Sequence, residues 1–127
     1  MTESDNLNKL SDTQPMFAQI TEIIENDIIT GVYNPGDLII STTRISKLYA
    51  VNPATAIKAV SKLADEGVLY KKRGIGMCVA ENAREKITGR RREVFLNVTI
   101  NAVLAEANTL GISNEELIIK ILQAKEK

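Results

Sequence analysis

Residues 52–67 read NPATAIKAVSKLADEG, and this stretch decides the fold. Asn52 is a favoured helix N-cap, and Pro53 follows at the first helical position. The N–H at that position has no acceptor within the helix, so proline costs no helical hydrogen bond there. Gly67 predicts the end of the helix. Apolar residues recur at helical spacing and predict one buried face, so that the polar and small residues between them face outward. The predicted buried residues are Ala56, Ala59, Val60 and Leu63, and the outward ones are Ala54, Thr55, Lys58, Ser61 and Lys62.

A second helix is predicted just upstream of this one. Ser41 is a good N-cap, and Ile45, Leu48 and Tyr49 fall on one face of the helix that it opens. Only residues 50–52 separate the two helices. This short connection is typical of a helix-turn-helix.

The flanking segments complete a winged helix-turn-helix. Apolar residues from Phe17 to Ile28 predict an earlier helix that begins near Pro15 and ends at Gly31. Two β-like runs, 68–72 and 77–80, are joined by a glycine-containing connection that suits a hairpin. The fold class is therefore mainly α with a small β hairpin, with the winged domain over residues 14–80 after a flexible N-terminus of residues 1–13.

The local charge favours a nucleic-acid partner. The 127 residues hold 16 basic and 16 acidic side chains and no histidine, which gives a net charge of zero. Residues 41–74, however, hold seven basic and two acidic side chains, a net charge of +5, and phosphate binding needs such a surplus. Two alternatives to DNA binding are open. The polar caps and the charged hairpin tip are solvated without a binding role, or the winged helix binds a protein. The candidate DNA-binding residues are Asn52, Pro53, Ala54, Thr55, Lys58 and Lys62 on the third helix and Lys72, Arg73 and Gly74 at the hairpin tip.

Residues 81–127 are predicted to form a helical dimerisation segment. A long helical pattern over 84–110 has a weak point at Gly89, and residues 113–116 form a capping box for a final helix that ends near Ala124. Apolar side chains cover more than one face of these helices, which favours a second copy as the cover; the winged domain alone is the alternative. Residues 90–92 (RRR) either brace DNA or form a solvated linker. The candidate dimerisation residues are Phe95, Val98, Ala102, Ala105, Leu117, Ile118, Ile121 and Leu122.

Composition excludes much catalytic chemistry. Without histidine and with a single cysteine, Cys78, the chain has no disulfide framework, Cys/His zinc site or Ser-His-Asp triad. We expect no enzyme, no metal and no cofactor, and we interpret Cys78 as a small core residue rather than a redox sensor. Residues 1–10 lack a secretory signal and no apolar run reaches membrane-spanning length, so a cytoplasmic protein without a membrane partner is expected.

Three motifs resemble those of the GntR family of bacterial transcription regulators, and in particular its short YtrA-type branch. They are GVYNPGD at residues 31–37, VNPAT at 51–55 and KRGIGMCV at 72–79. The resemblance implies a dimeric winged-helix repressor on a palindromic double-stranded DNA operator, with a short helical dimerisation segment and often transporter genes as targets. It also implies DNA contacts by Ser41, Thr43 and Arg44, although many members carry arginine where Thr43 stands and proline where Ile40 stands. A small-molecule effector is left open.

Overall fold

The structure is a computed structural model that describes residues 10–11 and 14–125. It divides into two compact units, the first ending at Thr88 and the second beginning at Gly89. The predicted fold class is confirmed. The elements are α1 (Met16–Ile29), α2 (Thr42–Tyr49), α3 (Pro53–Asp65), β1 (Leu69–Lys72), β2 (Gly76–Val79), α4 (Ala83–Val94), a π-helical segment (Phe95–Thr99), α5 (Ile100–Thr109) and α6 (Asn114–Lys125).

The predicted caps form the helix-turn-helix. The Ser41 hydroxyl accepts a hydrogen bond from the Arg44 N–H (3.2 Å) and opens α2. Asn52 Oδ1 accepts one from the Ala54 N–H (2.8 Å) and opens α3. Between them Ala50 has a φ of +53°, and its N–H donates to the carbonyl of Ser46. The left-handed conformation of Ala50 therefore turns the chain from α2 into α3.

The hairpin follows α3 and is extended by one short segment. β1 and β2 pair antiparallel, with Leu69 opposite Val79 and Lys72 opposite Gly76, and residues 73–75 form the tip. The apolar run 38–40 lies beside β2, because Leu38 forms a bridge with Cys78 and the Ile39 N–H donates to the Met77 carbonyl (3.0 Å). The sheet thus places the basic end of β1 at the hairpin tip.

The core of the first unit lies where α1, α2 and β1 pack on the buried face of α3. All four residues of the predicted stripe are buried, as is Cys78. Ala83 and Ile87 on α4 are completely buried and belong to the same core. The sequence prediction ended the winged domain at residue 80, whereas the first unit runs to Thr88, because the first turns of α4 complete its core.

The second unit departs from the predicted helix pattern. α4 continues through Gly89, and the interruption comes later, in the π-helical segment. The predicted weak point at Gly89 thus does not interrupt the helix, although the two compact units divide there. One glycine costs a helix only about 1 kcal/mol, which neighbouring helix formers tolerate, whereas Asn97, Val98 and Thr99 follow one another as weak helix formers. The predicted capping box is present at α6: Ser113 Oγ accepts from the Glu116 N–H (3.2 Å), and Glu116 Oε1 accepts from the Ser113 N–H (3.5 Å).

Most of the predicted flexible N-terminus lies outside the described residues. Of its residues, Leu10 packs against the core of the first unit. The Ser11 N–H donates to Gln19 Oε1, and Gln19 Nε2 donates back to the Ser11 carbonyl, both at 2.7 Å. These contacts attach residues 10–11 to α1. Within the described ranges, no helix is long and apolar enough to cross a membrane.

Candidate nucleic-acid interface

The face of α3 opposite the core carries most of the outward residues that the sequence predicts. Ala54, Lys58 and Ser61 are exposed, whereas Thr55 and Lys62 are half-buried. Ile57, with 52% of its surface accessible, is exposed but is not among the predicted outward residues. The signal for it was available, since Ile57 lies three residues after Ala54 and four before Ser61, the spacing of one helix face.

The side chains at the start of α2 and α3 are partly occupied by capping. The Ser41 and Asn52 oxygens each accept a backbone N–H within their own helix. Pro53 stands at the first position of α3, and Thr43 and Arg44 are exposed on the first turn of α2. Of these residues, Arg44 places a cation on the exposed surface of the helix-turn-helix.

Both candidate lysines of α3 have partners within the first unit. Lys58 Nζ lies 4.1 Å from the centre of the Phe17 ring, a cation–π contact with α1. Lys62 Nζ lies 2.9 Å from Glu66 Oε2, one helical turn further along. A partly exposed ion pair of this kind contributes at most about 1 kcal/mol. To contact a phosphate, Lys58 would therefore give up a cation–π contact and Lys62 a weak ion pair, and each would gain an ion pair with the phosphate.

The hairpin tip is the most exposed part of the basic segment. Lys71, Lys72 and Arg73 are all exposed in succession. Gly74 has a φ of +78°, and the Ile75 N–H donates to the Lys72 carbonyl (2.9 Å), which closes the tip tightly. Two cations at the end of β1 and a third on the closed turn suit contact with phosphates or entry into the minor groove.

The shifted titratable groups lie away from this surface. Burial raises the pKa of Asp27 in α1. Burial, together with the nearby Asp27 and Tyr33, raises the pKa of Tyr49 at the end of α2. The Tyr33 hydroxyl accepts a hydrogen bond from the Ile40 N–H (3.3 Å), so this group of residues joins α1, the following turn and α2. Across the described residues, no group of three or more potential metal ligands is present.

The candidate dimerisation residues lie on the second unit and are largely uncovered. Leu117 is half-buried and the other seven are exposed. Phe95 and Val98 lie in the π-helical segment, and Ile118, Ile121 and Leu122 lie on α6. Among residues 89–124, Ala107 is the one buried side chain.

A helix-turn-helix followed by a basic hairpin defines a DNA-binding protein of the winged helix-turn-helix class. Residues 17–79 match the family described as bacterial regulatory proteins, gntR family. Over 87% of its length the chain is 31% identical to a solved GntR-family structure from Bacteroides thetaiotaomicron, of which it covers 97% with a TM-score of 0.75. The chain belongs to the GntR family of bacterial regulatory proteins.

Two further relatives bear on function. The HTH-type transcriptional repressor YtrA of Bacillus subtilis (strain 168) is 25% identical over 103 residues, which are 81% of this chain and 78% of that protein. AraR(DBD), solved in complex with operator ORX1, is 32% identical over 56% of this chain and 87% of its own, with a TM-score of 0.52. The likeness to YtrA extends beyond the matched family region into the helical C-terminal part, since it covers more of the chain than residues 17–79.

Proposed function

We propose that this protein is a sequence-specific transcriptional repressor that binds a palindromic operator as a homodimer. The observation that carries the proposal is the helix-turn-helix of the first unit, whose segment 41–74 has a net charge of +5 and ends in an exposed cationic tip. The repressor relative YtrA and the operator complex of AraR(DBD) support it.

The first unit is the proposed DNA-binding unit. Its buried stripe seats α3 on α1, α2 and β1 and leaves the opposite face for the major groove. In this arrangement, Thr55 and its neighbours at the start of α3 reach base edges, and the tip residues Lys72 and Arg73 hold flanking phosphates. Phosphate contacts supply affinity for any sequence, and base contacts supply preference.

The second unit is the proposed dimerisation segment. Its helices expose apolar side chains such as Phe95, Ile118 and Leu122, and large exposed apolar patches mark interaction sites. A second copy covers the same patch by two-fold symmetry. The two α3 helices of the dimer then enter successive major grooves roughly 34 Å apart, which requires a palindromic operator.

Repression follows from occupancy, because a dimer on promoter DNA blocks transcription. Release from the operator requires a change in the spacing of the two DNA-binding units. The effector that would cause this change is left open. Transporter genes are the proposed targets, following the YtrA-type resemblance, and the cytoplasm is the proposed compartment because the ligand is chromosomal DNA.

In vitro selection from a random duplex library with the full-length protein tests the proposal. We expect enrichment of a palindrome, and sedimentation of the complex should give two chains per duplex. On the selected duplex, Thr55→Ala should lower the preference over random DNA by about 1–3 kcal/mol. A pool without an enriched sequence, or equal affinity of the wild-type protein for selected and random duplexes, would overturn it.

A further inference from the structure

The middle of the exposed face of α3 is apolar. Ile57 exposes 52% of its surface there, with Ala54 exposed one turn before it and Ser61 one turn after it. Ile57 is not one of the buried residues of α3, which are Ala56, Ala59, Val60 and Leu63. Within a segment of net charge +5, an exposed isoleucine therefore lies on the surface that we propose enters the major groove.

The nearest cation does not cover this surface. Lys58 follows Ile57 directly, but its Nζ lies over the Phe17 ring of α1. Lys62, the next lysine along α3, is paired with Glu66. Besides Lys58, whose ammonium group lies over Phe17, the exposed side chains in the middle of α3 are those of Ala54, Ile57 and Ser61.

One base pair offers a matching apolar group. In the major groove, thymine alone displays a methyl group, at C5, and apolar side chains read it by contact. Isoleucine suits this contact because it is β-branched and holds a single strongly preferred χ1 rotamer in a helix, so little rotamer freedom is lost on binding. Ile57 is also the fifth residue of α3, within the N-terminal part that contacts base edges in helix-turn-helix proteins.

We propose that Ile57 is a specificity-determining residue that contacts the C5-methyl group of a thymine in each operator half-site. This inference rests on the proposed DNA-binding function and deepens it by naming a base feature that the helix reads. Its consequence is a preference for thymine at one position of each half-site that arises from a methyl group and not from a hydrogen bond.

Deoxyuridine provides the test, because it differs from thymidine only by the missing C5-methyl group. Using the selected duplex, each thymine is replaced singly by deoxyuridine in both half-sites, and the full-length protein is titrated by fluorescence anisotropy. We expect one position at which the wild-type protein binds the uracil duplex roughly threefold to tenfold more weakly per methyl contact. At that position Ile57→Ala should bind the thymine and uracil duplexes equally, and Ile57→Val should retain part of the discrimination.

Ser61→Ala is the matched control, since it changes an exposed residue one turn away on the same face. It should keep the wild-type ratio between the thymine and uracil duplexes. Ile57→Ala should fold normally, because the side chain is outside the core and alanine is the better helix former; circular dichroism checks this.

Two failures are distinguishable. If the wild-type protein selects no sequence, the proposed function is wrong. If it binds its selected duplex but discriminates no thymine from uracil, or if Ile57→Ala discriminates as the wild type does, the role of Ile57 is wrong and the repressor assignment stands.

Discussion

The two units of the chain treat their apolar side chains in opposite ways. In the first unit Ile20, Leu63 and Ile87 are completely buried. In the second, Phe95, Val98 and Ile121 each expose more than half of their surface. Full burial of such a side chain contributes about 1.5–3 kcal/mol. The first unit thus holds its own core, whereas the apolar surface of the second contributes fully only when something covers it.

The largest expected effect is on the free energy of unfolding, when one leucine in each unit is replaced by alanine. Leu63→Ala should lower the free energy of unfolding by about 2–5 kcal/mol, because it leaves a cavity in the core. Leu110→Ala removes the same atoms from a side chain that is 65% exposed, and it should cost less than about 1 kcal/mol. Urea denaturation followed by circular dichroism measures both. Similar losses for the two variants would contradict the contrast between the units.

A charge on the second unit comes next in size. Ile121→Lys places an ammonium group on the proposed dimer surface, and we expect the dissociation constant of the dimer to rise at least about 30-fold, the equivalent of losing a strong interface contact. Sedimentation velocity over a range of protein concentrations measures it. Lys120→Glu, on the same helix, is the control for altered charge and should leave the constant within a few-fold. A dimer unaffected by Ile121→Lys would place the interface elsewhere.

The sequence predicted local features well because their causes are local. The caps at Ser41, Asn52 and Ser113 each depend on a side chain and an N–H two or three residues away. The buried stripe of α3 depends only on helical periodicity. Fold class and family follow from these features and their order along the chain.

What the sequence missed depends on contacts between distant residues. The burial of Ile87 extends the first unit into α4, and no pattern within α4 shows that its first turns meet the core. The contact of Lys58 with Phe17 joins residues far apart in the chain and gives this exposed lysine a partner in α1. Apolar character alone predicts Ile57 in the core, whereas it is exposed outside the buried stripe of α3.

Charge should matter for DNA binding at the hairpin tip of the first unit and not on α6 of the second. Arg73→Ala should weaken binding to all duplexes by a similar factor and reduce the slope of log affinity against log salt by about 1, because one phosphate contact is lost. Lys120→Ala, on α6, should leave that slope unchanged. Anisotropy titrations at several salt concentrations compare them. A loss confined to the selected duplex would mean that Arg73 reads sequence, and an equal slope change for both variants would extend the DNA surface into the second unit.

The smallest expected effect concerns backbone strain at Ala50 in the first unit. Within the described residues, Ala50 is the one non-glycine residue with a positive φ (+53°), a conformation that brings its Cβ close to the following carbonyl oxygen and costs roughly 1–2 kcal/mol. Ala50→Gly removes that strain but adds freedom to the unfolded chain, so we expect a net gain of about 0.5–1 kcal/mol in the free energy of unfolding. The same replacement at Ala64, inside α3, should instead lose about 0.5–1 kcal/mol. Opposite signs in urea denaturation would show that the turn between α2 and α3 is held by the packing of the two helices and not by the preference of its own residue; a loss at Ala50 would mean that its methyl group contributes more than the backbone strain costs.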